Sequence, residues 1–138
     1  MRPNVLFVDT AGWMAQADAA DPDHERTCAA RDRWLESDGL LVISDYVLDE
    51  TLTLLRMRLG LPAAERWWEK IEGSRRLRWE GVDASRCERA RHWFFRWADK
   101  SFSFTDCTSF VLMRELGIRQ ALTRDRHFAQ AGFDIVPA

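Results

Sequence analysis

Strand-length apolar runs alternate with helix-length periodic segments along this chain, which predicts an α/β sandwich built on a parallel sheet. Three observations carry that expectation. Val5–Val8 and Leu40–Ile43 are continuously apolar rather than alternating, as strands covered on both faces are. A helical segment follows each of the first three strand candidates. No two consecutive strand candidates are joined by a hairpin-length turn, so the connections must cross over, as parallel pairing requires.

The first strand, Val5-Leu6-Phe7-Val8, ends in Asp9. A helix from about Ala11 to Ala19 follows, broken by Asp21-Pro22-Asp23; either of those acids could cap the next helix, which runs to about Ser37. Asp38-Gly39 leads into the second strand, 40–43. Ser44 starts a helix to about Leu59, with Leu48, Leu52, Leu55 and Leu59 spaced by three and four as its apolar stripe. Gly60 closes that helix and Pro62 opens another, to about Ile71. Leu77–Val82 reads as a weaker third strand. Asp83 or Ser85 caps a helix with Cys87, Ala90, Phe94 and Trp97 on one face, and Thr105 caps a further helix that ends at Gly117. Residues 121–123 form a fourth strand and 133–136 a short fifth.

A chain of 138 residues, 46% of them hydrophobic, suits one domain spanning 1–138 with a core that needs no staple. Cys28, Cys87 and Cys107 are odd in number and form no CxxC pair, which argues against a zinc site or a disulfide framework and for small buried side chains in a reducing cytoplasm. Asp9 interrupts the apolar run that begins the chain, so neither a secretory leader nor a membrane span is expected there. Net charge is −2, but residues 1–50 hold 11 acids and 4 bases, so the remainder is basic. Of 20 bases, 18 are arginine, whose planar fork of donors suits phosphate. Biased composition would give the same excess.

In open parallel sheets ligands bind beyond the carboxyl ends of the strands. Asp9 ends the first strand and Asp125 lies just past the fourth. Asp106 begins a helix rising at the same edge, and Glu50 lies two turns into the helix after the second strand. Each has an ordinary explanation alone, as a helix cap, a first-turn acid or a turn residue. Glu50, on the flank of an apolar stripe between Val47 and Leu54, is the hardest to explain so. Four acids meeting at one rim would repel one another unless a divalent cation held them. Mg²⁺ and Mn²⁺ prefer such oxygen donors and can activate a water for phosphodiester hydrolysis. Neither a histidine pair nor a cysteine cluster competes for that role; His127, near Asp125, reads first as a loop residue.

These stretches resemble the PIN-domain family, and within it the VapC-like toxins of toxin–antitoxin pairs. Phe7-Val8-Asp9-Thr10-Ala11 is similar to the first family motif and Ser44 through Glu50 to the second. Ser103–Phe110 is similar to the third and the most specific, and Leu122–Phe128 to the last. The resemblance covers almost the whole chain. It implies a PIN-like three-layer α/β/α sandwich with a central parallel sheet of four to five strands. Asp9, Glu50, Asp106 and Asp125 would surround one or two Mg²⁺ or Mn²⁺ ions, with Thr10 and Thr105 orienting the acids. It further implies cleavage of single-stranded RNA, a homodimer and a small inhibitory antitoxin. Asp9, Asp106 and Asp125 are then the expected metal ligands and Glu50 the group that holds the attacking water.

Rival readings leave specific marks. A haloacid-dehalogenase-type phosphatase needs a second Asp two residues after the first, where this chain has Ala11. A phospho-accepting receiver domain needs an acidic pair in the first loop and a late lysine, and Lys70 and Lys100 are poorly placed for that. A non-catalytic RNA- or protein-binding module would not need all four acids. A housekeeping nuclease differs from a toxin in lacking a small antitoxin reading frame beside it. Arg75, Arg76 and Arg78 are candidates for drawing RNA in, against the plainer reading of a solvated turn. The seven tryptophans are core or interface before they are platforms for bases.

Overall fold

The computed structural model describes residues 4–138. Five strands form one sheet in the order β3-β2-β1-β4-β5, every neighbouring pair parallel. The strands are β1 (Val5–Val8), β2 (Leu40–Ser44), β3 (Leu77–Glu80), β4 (Gln120–Leu122) and β5 (Asp134–Val136). Seven helices connect and cover them: α1 (Thr10–Ala17), α2 (His24–Glu36), α3 (Asp45–Leu59), α4 (Leu61–Glu72), α5 (Ala84–Arg96), α6 (Phe104–Leu116) and α7 (His127–Gln130). The result is the α/β/α sandwich expected. Leu6, Phe7, Val8, Val42, Ile43, Ala121 and Leu122 fill the middle of the sheet and are fully buried. This explains why those runs carry no polar alternation.

The strand order reverses at β1. From there the chain builds outward to β2 and β3, then returns to lay β4 on the other side. A crevice opens at such a switch point, beyond the carboxyl ends of β1 and β4. Gly12 lets α1 sit close to that edge: a Cβ there would lie 2.1 Å from the Leu122 carbonyl oxygen.

Several element details depart from the expectation. The buried face of α3 is Val47, Thr51 and Leu55. Leu48 and Leu52 are only half-buried beside it, and Leu59 is exposed. The helical period holds but the stripe is turned by one position, because a buried Thr51 is invisible to a count of apolar residues. The inward residue of α5 is Ala90, with Trp93 packed on Phe110 at 5.3 Å between ring centroids. Phe94 and Trp97 stay exposed instead of joining that face. Asp83, not Ser85, caps α5 by accepting the Arg86 N–H. Ser103, not Thr105, caps α6, and it does so in a reciprocal capping box with Asp106. β3 stops at Glu80, where the Val82 N–H turns aside to donate to Asp45 Oδ1. The one-turn α7 has no signature in the sequence, because four residues show no periodicity. Of the cysteines, Cys107 is buried and the other two are half-buried, all as free thiols. Among the described residues no helix is long and apolar enough to cross a membrane. The expectation about the start of the chain falls partly on residues 1–3, outside the described residues.

Candidate active site

The switch-point crevice is a cavity of about 220 Å³ whose lining includes Asp9, Glu50, Asp106 and Asp125. Four separate elements deliver them. β1 ends at Val8 and Asp9 follows as the N-cap of α1, its Oδ1 accepting the Gly12 N–H at 2.9 Å. The ordinary reading of Asp9 as a cap is therefore correct, and it coexists with a place in the cavity. Glu50 sits on α3 with Leu54 and Arg58 at steps of four, so one flank of that helix forms a wall. Asp106 lies in the first turn of α6: Ser103 N–H donates to its Oδ2 at 3.0 Å, and its own N–H donates to Ser103 Oγ at 2.9 Å. Asp125 lies in the turn after β4, where its Oδ1 accepts the His127 N–H at 2.9 Å.

Thr123 joins these pieces. Its hydroxyl donates to Asp9 Oδ2 at 2.9 Å and accepts the Asp125 N–H at 2.8 Å. Thr10 and Thr105 also line the cavity. The Thr10 hydroxyl is buried without a hydrogen-bond partner, and the hydroxyl that bonds a site carboxylate directly is that of Thr123. His127 is not a bystander either. Its Nδ1 lies 3.0 Å from Asp106 Oδ2 and 3.2 Å from Asp125 Oδ1, while Ser101 Oγ lies 3.1 Å from Nε2. Sequence spacing could not place His127 against Asp106, because they are 21 residues apart and meet only through the fold.

The electrostatics differ across the cavity. Burial pushes the Asp9 carboxyl up to about 7; the charges of Asp125 and Asp106 push the same way, and hydrogen bonds from Gly12 and Thr123 offset only part of it. Burial also raises Asp106, helped by Asp125, against the Ser103 N–H and His127. In so dry and negative a place two hydrogen bonds do not offset burial, and a nearby positive charge would favour the anion.

The donor set therefore fits a divalent cation. Asp106, Asp125 and His127 each present an atom, all within 4.8 Å of one another, and Asp9 lines the same cavity. These are oxygen donors with one imidazole, a set that suits a divalent cation and not a thiolate-seeking metal.

Two arginines in the lining carry no signal in the sequence that would single them out. Arg58 extends the α3 wall, and Arg124 is tethered by Asp21 and Asp23 at 3.3 and 3.1 Å. The arginines expected to draw RNA in lie elsewhere. Arg76 donates to the Leu35 and Gly39 carbonyls, and Arg78 lies 3.8 Å from Glu80. Arg76 thus fastens β3 to the end of α2 and is not free for phosphate.

Comparison with known proteins identifies the family. The sequence profile of the PIN domain matches residues 6–134. The chain is 38% identical over 129 residues to the 23S rRNA-specific endonuclease VapC20 of Mycobacterium tuberculosis, covering 94% of this chain and 95% of that one. It is 30% identical over 127 residues to ribonuclease VapC26 of the same organism, covering 90% of each. The crystal structure of VapC20, described as a sarcin-ricin loop cleaving toxin, superposes with a TM-score of 0.82 at 37% identity over 93% of this chain and 95% of that one. The crystal structure of FitAcB from Neisseria gonorrhoeae shares the fold, with a TM-score of 0.63 at 18% identity over 94% of this chain and 95% of that one. The chain belongs to the PIN-domain family.

Proposed function

From that membership and the acidic crevice, we propose that the chain is a metal-dependent endoribonuclease of the VapC toxin type, folded as one PIN domain and cleaving single-stranded regions of RNA. The observation that carries the reading is the convergence of Asp9, Glu50, Asp106 and Asp125 on one cavity at the switch point, with Asp9 so buried that it favours a cation beside it.

Asp9, Asp106 and Asp125 are the residues that would hold Mg²⁺ or Mn²⁺, with His127 at hand. When bound, the ion supplies charge stabilisation for the phosphodiester and acidifies a water. The residues of the chain do the rest. Glu50 stands on the α3 wall, where it can accept a proton from the attacking water. The Thr123 hydroxyl and the Ser103 N–H fix the orientation of the Asp9 and Asp106 carboxylates before substrate arrives, so the donors need no rearrangement. Arg58 and Arg124 line the same cavity and carry forks suited to substrate phosphates.

The similar VapC20 is described as acting on 23S ribosomal RNA, which makes structured ribosomal RNA with an unpaired loop the first substrate to try. A homodimer and a small antitoxin complete the proposal. Met57 and Leu61 at the α3–α4 junction and Phe95 near the end of α5 are exposed apolar side chains that assembly would cover.

The test is cleavage of RNA with Mg²⁺, with Mn²⁺, with chelator and with Asp9→Asn. Chelator is expected to abolish cleavage, and the substitution to lower it by about 10²–10³-fold, the scale on which removing one charge-stabilising group acts. Cleavage that persists in chelator, or that Asp9→Asn leaves undiminished, rejects the reading.

A further inference from the structure

The chemistry sits at the first turn of α6; the last turn of the same helix faces a second recess of opposite charge. α5 and α6 enclose an open cavity of about 490 Å³, walled by Arg89, His92, Trp93, Arg96, Trp97 and Arg114. The Arg114 guanidinium lies 5.1 Å from the centre of the Trp93 ring and that of Arg96 5.2 Å from the centre of Trp97. The wall carries one acid, Glu115, and it is already held by Arg86 and Arg89. Among the described residues neither Arg96 nor Arg114 has a carboxylate within salt-bridge distance.

We propose that this recess is an anchoring site for single-stranded RNA, separate from the acidic cavity, in which Arg96 and Arg114 hold phosphates and Trp97 stacks a base. The inference rests on the ribonuclease reading above and deepens it. A guanidinium laid on an aromatic face keeps its in-plane N–H donors free, and those donors match phosphate oxygens. Trp97 is 38% exposed, so part of its ring is open for stacking. Asp106 and Arg114 are eight residues apart on α6, about 12 Å along the axis at 1.5 Å per residue. One strand can therefore engage both places.

A second copy of the chain is a poor occupant. A two-fold interface centred here would bring the arginine clusters of the two copies together. An acidic peptide would use the arginines but gain little from the open indole face, whereas unpaired RNA brings both phosphates and bases. The anchor reads no sequence; it raises affinity for long substrates and leaves the choice of cut to the acidic cavity.

The test measures binding of a single-stranded RNA oligonucleotide, by fluorescence anisotropy across a salt series, to Asp9→Asn protein that does not cut it. R96A/R114A is expected to flatten the plot of log affinity against log salt by about 1.4, at roughly 0.7 for each phosphate of a single strand that is no longer neutralised. R96K/R114K keeps the charges and should keep the slope. W97A should weaken binding by roughly tenfold without changing the slope. In the cutting protein, R96A/R114A should raise KM and leave kcat alone. Melting curves establish that each variant is folded. RNA binding by R96A/R114A with the parent slope and affinity overturns the anchor while leaving the nuclease reading intact. A changed oligomeric state with an unchanged slope assigns the face to a protein interface and overturns it too. Failure of the unsubstituted chain to bind or cut RNA at all overturns both.

Discussion

The floor and the wall of the acidic cavity are built from the same residue type under opposite terms. On the floor, Asp9 is 6% exposed at the end of β1 and receives two neutral hydrogen bonds, from Gly12 and Thr123, but no positive charge. On the wall, Asp106 and Asp125 are less buried and share the imidazole of His127. The wall acids thus find partners within the fold. The floor acid is hydrogen-bonded yet its charge is uncompensated, and it adds to the demand for a cation made by the Asp106–Asp125–His127 cluster. Hydrogen bonding and charge compensation are distinct requirements, and this site separates them in space.

The largest expected effect tests that contrast through pH. Asp9 sits near 7 in the folded chain against an ordinary 3.8. Below about pH 4 the carboxyl is protonated whether the chain is folded or not, and it costs nothing. Between about 4 and 7 the folded state binds more protons than the unfolded, so stability falls as pH rises, and above 7 the loss is complete. At about 1.4 kcal/mol per tenfold the loss is on the order of 4 kcal/mol, with Asp106 adding in the same direction. Chelator-treated protein should therefore melt at higher temperature at pH 5 than at pH 8, and Asp9→Asn should remove most of that difference. Mg²⁺ or Mn²⁺ should restore the melting temperature at pH 8 for the parent and much less for the variant. Equal pH dependence in the two proteins would show that the floor is not the costly part.

Next in size is the joint between the two regions. Thr123→Val keeps the shape but removes the donor to Asp9 and the acceptor for the Asp125 N–H. Removing an orienting bond of this kind lowers metal affinity or activity by about 10–100-fold. An unchanged metal titration would mean that floor and wall are positioned independently of each other.

Much of the contrast is legible in the sequence, and what is not has a physical reason. The strands announce themselves because both faces are covered, and Asp9 and Asp125 stand out because charge follows closely upon such runs. Glu50 stands out by its place on the flank of a helix, even though the buried stripe beside it is Val47-Thr51-Leu55 and not the leucine series. Local rules fail where partners are distant. His127 looks like a loop residue until α7 brings its ring to Asp106, and Arg124 does not show that Asp21 and Asp23 tether it. The α6 cap is a different case, because its signal is local: Ser103-Phe104-Thr105-Asp106 has the spacing of a capping box, which favours Ser103 over Thr105.

That cap supplies the smallest effect and the sharpest one for the wall. Ser103 Oγ accepts the Asp106 N–H, and the Asp106 carboxylate in return accepts the Ser103 N–H. Ser103→Ala removes the first bond and keeps the second, so Asp106 stays tethered by a backbone donor and by His127. The cost should be about 1 kcal/mol of stability, the usual worth of a helix cap, read as a lower urea midpoint with an unchanged slope. Cleavage should change by less than about tenfold, since the remaining bonds still fix the carboxylate. If activity instead falls as far as in Thr123→Val, the wall depends on its cap as much as the floor depends on Thr123, and His127 contributes little to holding Asp106.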